Sequence, residues 1–435
     1  MMRKQHHKKI YFILIIIVLV FLGILHWHVS STENVPISVP LPEPTDEIKV
    51  NTADASETGL SQEDAEVKDV PLSEEEVQDK EIRTILASMT LEEKAAQMFF
   101  ITPEALTGVE TVTVTGDITK NAFQNYPVGG LVYFAKNLQT PEQTKAMLTG
   151  IYDYSLETQQ LPVFLGVDEE GGRVLRIGGN DNFGVEKVEA MGILAQEQDL
   201  DVIYKAGSTI GSYLYDLGFN VDFAPDADVI TNSKNQVIGD RSFGTDADMV
   251  ANMAWAFRNG LHDAGMLATY KHFPGHGSTV EDSHTGYAYS YSSLEELESV
   301  DLIPFQSGSE QGIDFIMVSH ISVPQVTGSD IPASLSDIWV TDILRNEMGY
   351  QGIIITDAMA MGAICEHYTS ADATLLAIQA GCDMILMPED FDASYSALLT
   401  AVSDGTITEE RIDESVYRII KVKLSMAEKL FFYTE

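Results

Sequence analysis

Eight short apolar runs, rich in β-branched and aromatic residues, recur along the chain at 97–101, 130–134, 163–167, 221–224, 267–270, 315–318, 352–356 and 383–387. Each is too short for a helix, and the stretches between them, such as 201–217, 247–264, 337–348 and 371–380, carry apolar residues at helical spacing. Strands that alternate with helices imply parallel pairing, and eight such units are the number that closes a sheet on itself. The expected fold is therefore α/β, a single (β/α)8 TIM-like barrel. The rival is an open, doubly wound sheet, which gathers its ligand groups at one switch point. Here polar residues stand just after run upon run: Asp168, Asp226 and Asp228, Lys271 and His272, Ser319 and His320, and Asp357. In a barrel those ends converge on one face, so residues distant in sequence line one pocket.

The densest of these ends is Lys271-His272-Phe273-Pro274-Gly275-His276-Gly277, followed by Asp282-Ser283-His284. Pro274 and Gly275 exclude a helix, so this cluster is expected in a loop that follows a strand over 267–270. The same argument removes a metal reading. His272 and His276 have a spacing that puts two imidazoles on one helical face, but no helix is available to hold them, and no metal is assigned. His276, between two glycines, reads as a residue that bonds the backbone. Gly171 and Gly172 belong to a tight turn, since the spacing of a nucleotide-binding fingerprint is missing, and no cofactor is expected.

Charge narrows the partners. A formal net charge of -40 repels phosphate, which argues against nucleic acid and anionic membrane surfaces as ligands. The N-terminus carries Arg3, Lys4, Lys8 and Lys9, then an apolar run over 10–25, then Trp27. That run is long for a signal peptide and short for a full span. Without a good cleavage site, an uncleaved membrane anchor is favoured over a cleaved signal, and the remainder is exported. Residues 31–80 are acidic, rich in Pro, Ser and Thr and lack any apolar period, so they are expected to form a disordered linker. The expected organisation is thus a basic flank with anchor at 1–30, a linker at 31–80 and the barrel at 81–435. Thr90-Leu91-Glu92-Glu93 is a capping box that opens an early helix. With Cys365 and Cys382 alone, the domain is no disulfide scaffold; one bridge is open to them, but Cys382 reads as a packed strand residue.

The segments GVDEEGGRVLRI, VIGDRSFG, KHFPGHGSTVEDSH, PASLS and ITDAM resemble, in this order, glycoside hydrolase family 3 and specifically its β-N-acetylglucosaminidase branch, over residues 89–423. The resemblance implies an exo-acting, retaining β-N-acetylhexosaminidase that needs a nucleophile and a proton donor. Asp357 matches the nucleophile; the alternative for it is a helix N-cap ahead of Ala358. His284, paired with Asp282, matches the branch's general acid, and a solvent-facing loop histidine is the alternative. The chain stops after a terminal helix at 412–424, so no second domain is expected to supply a carboxylic acid for that step. Asp168, Arg176, Arg241, Lys271 and His272 match the residues that grip the sugar, with an ion pair to Asp228 or Asp240 as the alternative for Arg241. Ser278 departs from the acid often found at its position. The implied partner is an N-acetylglucosamine-containing oligosaccharide, with peptidoglycan fragments ahead of chitin-type chains, and the protein is expected to act as a monomer. A β-glucosidase or β-xylosidase, a phosphorolytic variant and an inactive surface carbohydrate-binding protein stay open beside it.

Overall fold

The computed structural model describes residues 73–279, 286 and 288–432, with side chains to residue 426. The apolar run at 10–25, the acidic segment up to residue 72, and both Asp282 and His284 lie outside the described residues. The described residues contain ten strands: β1 (Phe99–Ile101), β2 (Gly130–Val132), β3 (Phe164–Val167), β4 (Val221–Asp222), β5 (Leu267–Phe273), β6 (Ala288–Tyr289), β7 (Phe315–Val318), β8 (Ile321–Ser322), β9 (Ile353–Thr356) and β10 (Ile385–Leu386). Eight of them form one sheet in the order β10-β1-β2-β3-β4-β5-β7-β9. The two ends meet through a parallel bridge between Ile355 and Met384, with Met384 N–H donating to the Ile354 carbonyl and Thr356 N–H to the Met384 carbonyl, both at 3.1 Å. Every expected run is a barrel strand, and the strands follow one another in chain order, as a barrel requires.

The interior explains why two strands contain glycine. Phe100 stacks 6.3 Å from Phe164 and lies edge-on to Phe223 at 5.1 Å, while Phe164 meets Phe315 at 5.3 Å. A side chain at Gly130 or Gly166 would enter the Phe100 ring, with Cβ contacts of 2.5 and 2.7 Å. Large residues on one strand are thus accommodated by absent ones on its neighbours, which keeps the barrel filled. At the strands' N-terminal ends, Lys423 is fully buried, donates to Gln97 Oε1 at 2.7 Å and lies 5.0 Å from the centre of the Phe164 ring.

Helices Leu200–Leu217, Ala247–Asp263 and Ser370–Ala380 occupy the expected stretches, and Thr90 caps Leu91–Gln97 through the expected box. Three details differ from expectation. The segment expected as a helix at 337–348 is wound more widely over Ile338–Glu347, with the Met348 amide reaching back to the Ile343 carbonyl. A helix at Glu74–Ser88, opened by its own Ser73/Glu76 capping box, precedes the expected domain start at 81. It packs on the terminal helix Glu409–Phe432, where Tyr417 donates to Asp79 Oδ1 at 2.7 Å. β5 runs on to Phe273, so Lys271 and His272 belong to a strand and not to the loop assigned to them. In keeping with expectation, Cys382 is buried in the core, and both it and Cys365 are free thiols. Among the described residues, no helix is long and apolar enough to cross a membrane.

Candidate active site

Acids and bases from four strand ends meet at the barrel's C-terminal face. Lys271 Nζ lies 2.6 Å from Glu170 Oε1 and 3.1 Å from Asp168 Oδ1. Arg241 grips Glu170 with two parallel bonds, Nε to Oε2 at 2.7 Å and Nη2 to Oε1 at 2.8 Å, and its Nε also stands 3.3 Å from Asp226 Oδ2. Such a fork is the strongest way to fix a guanidinium to a carboxylate. Arg176 closes the set at 3.7 Å from Asp168 Oδ2.

Successive residues of a regular strand point to opposite faces. Lys271 and His272 nevertheless reach the same network, because the register of β5 shifts between Tyr270 and Phe273. An irregularity of this kind re-aims side chains beside a site. His272 Nδ1 is 2.7 Å from Asp228 Oδ2, and its Nε2 is 3.3 Å from Arg241 Nη2. Since guanidinium only donates, Nε2 accepts, and the hydrogen sits on Nδ1. Burial, then the adjacent Arg241 charge, push His272 down to about 4, so the ring is neutral near pH 7.

The other groups shift for equally definite reasons. Burial alone would push the Lys271 amine down, but Glu170 and Asp168 carry it above the usual lysine value. Burial would likewise raise Glu170, yet Arg241 and Lys271 hold it well below the usual carboxylate range. Asp226 moves the other way: burial and the neighbouring Asp228 push it up to about 7. Four carboxylates, Asp168, Glu170, Asp226 and Asp228, thus face three permanent cations, and burial pushes both Asp226 and Asp228 toward the protonated form.

The loop after β5 is fitted to this network. His276 N–H donates to Asp228 Oδ1 at 2.6 Å, its carbonyl accepts from Asn235 Nδ2 at 2.7 Å, and its Nδ1 is 2.7 Å from Thr279 Oγ1, which makes it the backbone-bonding residue expected. A Cβ on Gly277 would stand 1.7 Å from the Val229 carbonyl oxygen, so only glycine permits the approach. Gly171 and Gly172 have φ of 93° and 58° in the tight turn after β3, again as expected. Glu169, fully buried, shapes that turn by accepting from the amides of Arg176, Ile177 and Gly178 and from Tyr213 Oη.

Asp357 stands at the end of β9, half-buried, with its amide donating to the Val318 carbonyl at 2.8 Å and its Oδ1 accepting from Ala358 N–H at 2.7 Å. Its charge acts on both His272 and His276, so it lies within electrostatic reach of the network. Asp357 is not the helix N-cap given as its alternative: the helix that follows is Gly362–Cys365, with Met361 at its N-cap, and the bond from Ala358 lies in the turn before it. Asp168, Arg176, Arg241, Lys271 and His272 all come together at the barrel's C-terminal face. Asp168 and Arg176 remain 22% and 25% exposed, whereas Lys271 is only 3% exposed, so the first two form the accessible rim and the others its base. Arg241 does form an ion pair, though with Glu170 and Asp226 instead of Asp228 or Asp240; Asp240 faces Arg173 at 3.4 Å. Glu170 is the residue that sequence reasoning missed. Its signal was its place in Asp168-Glu169-Glu170, next to a strand end, in a chain with two strand-end cations in want of a counter-charge.

Donor atoms of Asp226, Asp228 and His272 lie within 4.8 Å of one another, a spacing that could hold a cation. The Arg241 guanidinium already reaches Asp226 and His272, however, and Asp228 is committed to the amides and ring of His272 and His276. The donors therefore do not fit a resident metal ion.

The chain is similar to proteins of a known family. The model for the glycosyl hydrolase family 3 N terminal domain matches residues 90–422. A β-hexosaminidase A of Pseudoalteromonas piscicida is 33% identical over 324 residues, 69% of this chain and 54% of that protein. A β-hexosaminidase of Nitrosomonas eutropha is 34% identical over 281 residues, 63% of this chain and 77% of that protein. Among solved structures, a family 3 β-N-acetylglucosaminidase from Paenibacillus sp. str. FPU-7 superposes with a TM-score of 0.73 at 35% identity, over 78% of this chain and 63% of that one. The chain thus spans about half the length of the first of these relatives and less than two thirds of the Paenibacillus chain.

Proposed function

This chain belongs to glycosyl hydrolase family 3, and from that premise we propose that it is an exo-acting β-N-acetylhexosaminidase that releases terminal β-N-acetylglucosamine with retention of configuration. The observation that carries the reading is the Asp357 carboxylate, pinned at the end of β9 within electrostatic reach of a rigid base of Lys271, Arg241 and His272. In the first step an Asp357 oxygen attacks the anomeric carbon as the glycosidic C–O bond breaks, and protonated His284 gives its proton to the departing oxygen. In the second, water attacks the same carbon, neutral His284 takes the water's proton, and the ester bond to Asp357 breaks. Asp282 is assigned to orient and charge-stabilise His284. Asp168 and Arg176, on the accessible rim, bind sugar hydroxyls and the acetamido group, and the buried ion pairs beneath keep them from relaxing.

Peptidoglycan fragments are the substrates we assign, acted on outside the cytoplasm by a monomer held to the membrane through residues 1–30. The relatives named β-hexosaminidase support the choice of sugar. The test is kcat/KM on paired aryl glycosides, with the released anomer followed by NMR. A pocket that hydrogen-bonds an acetamido group is expected to prefer the N-acetylglucosaminide over the glucoside by at least about a thousandfold, and to release the β-anomer first. A preference for the glucoside would replace this reading with a β-glucosidase, and initial release of the α-anomer would exclude the double displacement.

A further inference from the structure

His320 follows β7, is fully buried, and is not among the residues assigned to substrate. Its Nδ1 lies 2.7 Å from Ser334 Oγ, and its Nε2 lies 3.0 Å from the carbonyl oxygen of Ala358. A carbonyl oxygen only accepts, so Nε2 carries the hydrogen; in the neutral ring Nδ1 then accepts from the Ser334 hydroxyl. Ser334 is itself fully buried, and its amide donates to the Ser319 carbonyl at 3.1 Å.

Ala358 is the residue that orients Asp357, since its amide donates to Asp357 Oδ1 at 2.7 Å. The turn is therefore held at both ends. Ahead of the carboxylate, the Asp357 amide bonds to Val318 of β7; behind it, the Ala358 carbonyl bonds to His320, two residues further along the same strand end. The amides of Met359 and Ala360 continue to the carbonyls of Leu386 and Met387 beside β10. His320 also stands one residue before β8, which pairs in parallel with β6 in a separate two-stranded sheet.

We propose that His320 is a positioning residue for the nucleophile: its Nε2–H fixes the Ala358 carbonyl, and Ser334 sets the tautomer that makes this bond. The proposal rests on the assignment of Asp357 as nucleophile. A carboxylate that must meet an anomeric carbon tolerates little error, and a displacement of about 1 Å lowers the rate by roughly a hundredfold. Ground-state contacts to the sugar come from other strand ends, so loss of this bond acts on kcat and leaves KM nearly alone.

The experiment compares His320→Leu, His320→Gln and Ser334→Ala with Asp357→Ala, on an aryl N-acetylglucosaminide and with a 5-fluoro N-acetylglucosaminyl donor that labels Asp357 slowly, read by mass spectrometry. His320→Leu is expected to lose about a hundredfold in kcat and in labelling rate, with KM within about threefold. His320→Gln retains an N–H where Nε2 stood and is expected to recover at least about a tenth of wild-type kcat, while Ser334→Ala loses less than about tenfold. A folded His320→Leu enzyme with kcat within about twofold of wild type, or with its loss confined to KM, overturns the proposal. If His320→Leu does not fold, the other two variants decide, and a folded His320→Gln as inactive as Asp357→Ala overturns it equally. An active Asp357→Ala enzyme would instead remove the nucleophile assignment, so the two failures are distinguishable.

Discussion

At the start of β10, the fully buried Asp383 accepts from Arg345 Nη2 at 2.6 Å, Ile354 N–H at 2.9 Å, Ser415 Oγ at 2.8 Å and Arg418 Nη1 at 3.0 Å. Two cations serve one carboxylate. At the opposite ends of the strands, four carboxylates share three permanent cations, and Asp226 Oδ2 is left with no hydrogen bond. Both regions bury charge, yet only the first completes its partners. Buried polar groups that are fully matched make a scaffold rigid, while those left short mark the place where a ligand's own groups can finish the network.

The largest expected effects separate the two ends outright. Asp357→Ala should lower kcat by more than about a hundredfold with a melting temperature near wild type, because one accessible carboxylate is lost from the chemistry and little from the packing. Asp383→Ala should do the reverse, costing roughly 3 kcal/mol in urea unfolding by depriving two half-buried arginines of their shared counter-charge, with kcat of the folded enzyme retained. If Asp383→Ala abolished kcat in protein that remained folded, the contrast between scaffold and site would collapse.

A subtler test uses pH, since the two ends titrate in opposite senses. Asp226 is raised from an ordinary 3.8 to about 7, so the folded state holds an extra proton between those values. Its contribution to stability is full below pH 4 and is lost as pH rises toward 7. Lys423 is lowered by burial from 10.5 to about 7, so the unfolded state holds the extra proton and stability rises between pH 7 and 10.5. Unfolding free energies measured across both windows should show the acidic slope shrink in Asp226→Asn and the rise between pH 7 and 9 shrink in Lys423→Met, while Cys382, pushed by burial from 9.0 to about 12, adds a fall above pH 9 in either protein. Asp301, which burial and Asp228 push up to about 7, will keep part of the acidic slope. An unchanged rise between pH 7 and 9 in Lys423→Met would mean that the buried amine stays charged.

The smallest effect concerns the N-terminal edge. A protein cut to begin at 81 loses Asp79 and its bond to Tyr417, whereas one cut to begin at 73 keeps the helix and its cap. The shorter form should melt several degrees lower, and both should show the same preference between N-acetylglucosaminide and glucoside. A changed preference would extend the site to a region assigned to support.

These contrasts also explain what the residues alone could reveal. Strand runs, crossover helices and the Thr90 box depend on local pattern, and they are found where the pattern puts them. Asp168, Arg176, Arg241, Lys271 and His272 were legible because each follows a readable run or falls within a recognisable motif. The pairing of Glu170 with Arg241 was not, for it joins residues 71 positions apart and follows from closure of the barrel. Nor was the break in β5 that turns Lys271 and His272 to one side, since an apolar run ending in polar residues looks like a strand that has stopped. The Glu74–Ser88 helix was hidden by composition, because an acidic stretch with few apolar residues reads as linker until the terminal helix is there to receive Ile82 and Asp79.

The seam between β9 and β10 sets an order of assembly. β10 bonds to β1 on one side and, through Met384, to the strand that carries Asp357 on the other. The carbonyls of its Leu386 and of Met387, which follows it, also receive the amides of Met359 and Ala360. During vectorial synthesis, the first strand must therefore wait almost 300 residues for its last partner. Chains interrupted before residue 387 would contain Asp357, Asp168, Arg176, Arg241, Lys271 and His272, yet have no closed frame to hold them. Hydrolytic activity would then arise in a single late step, and incomplete copies would be inert instead of partly active.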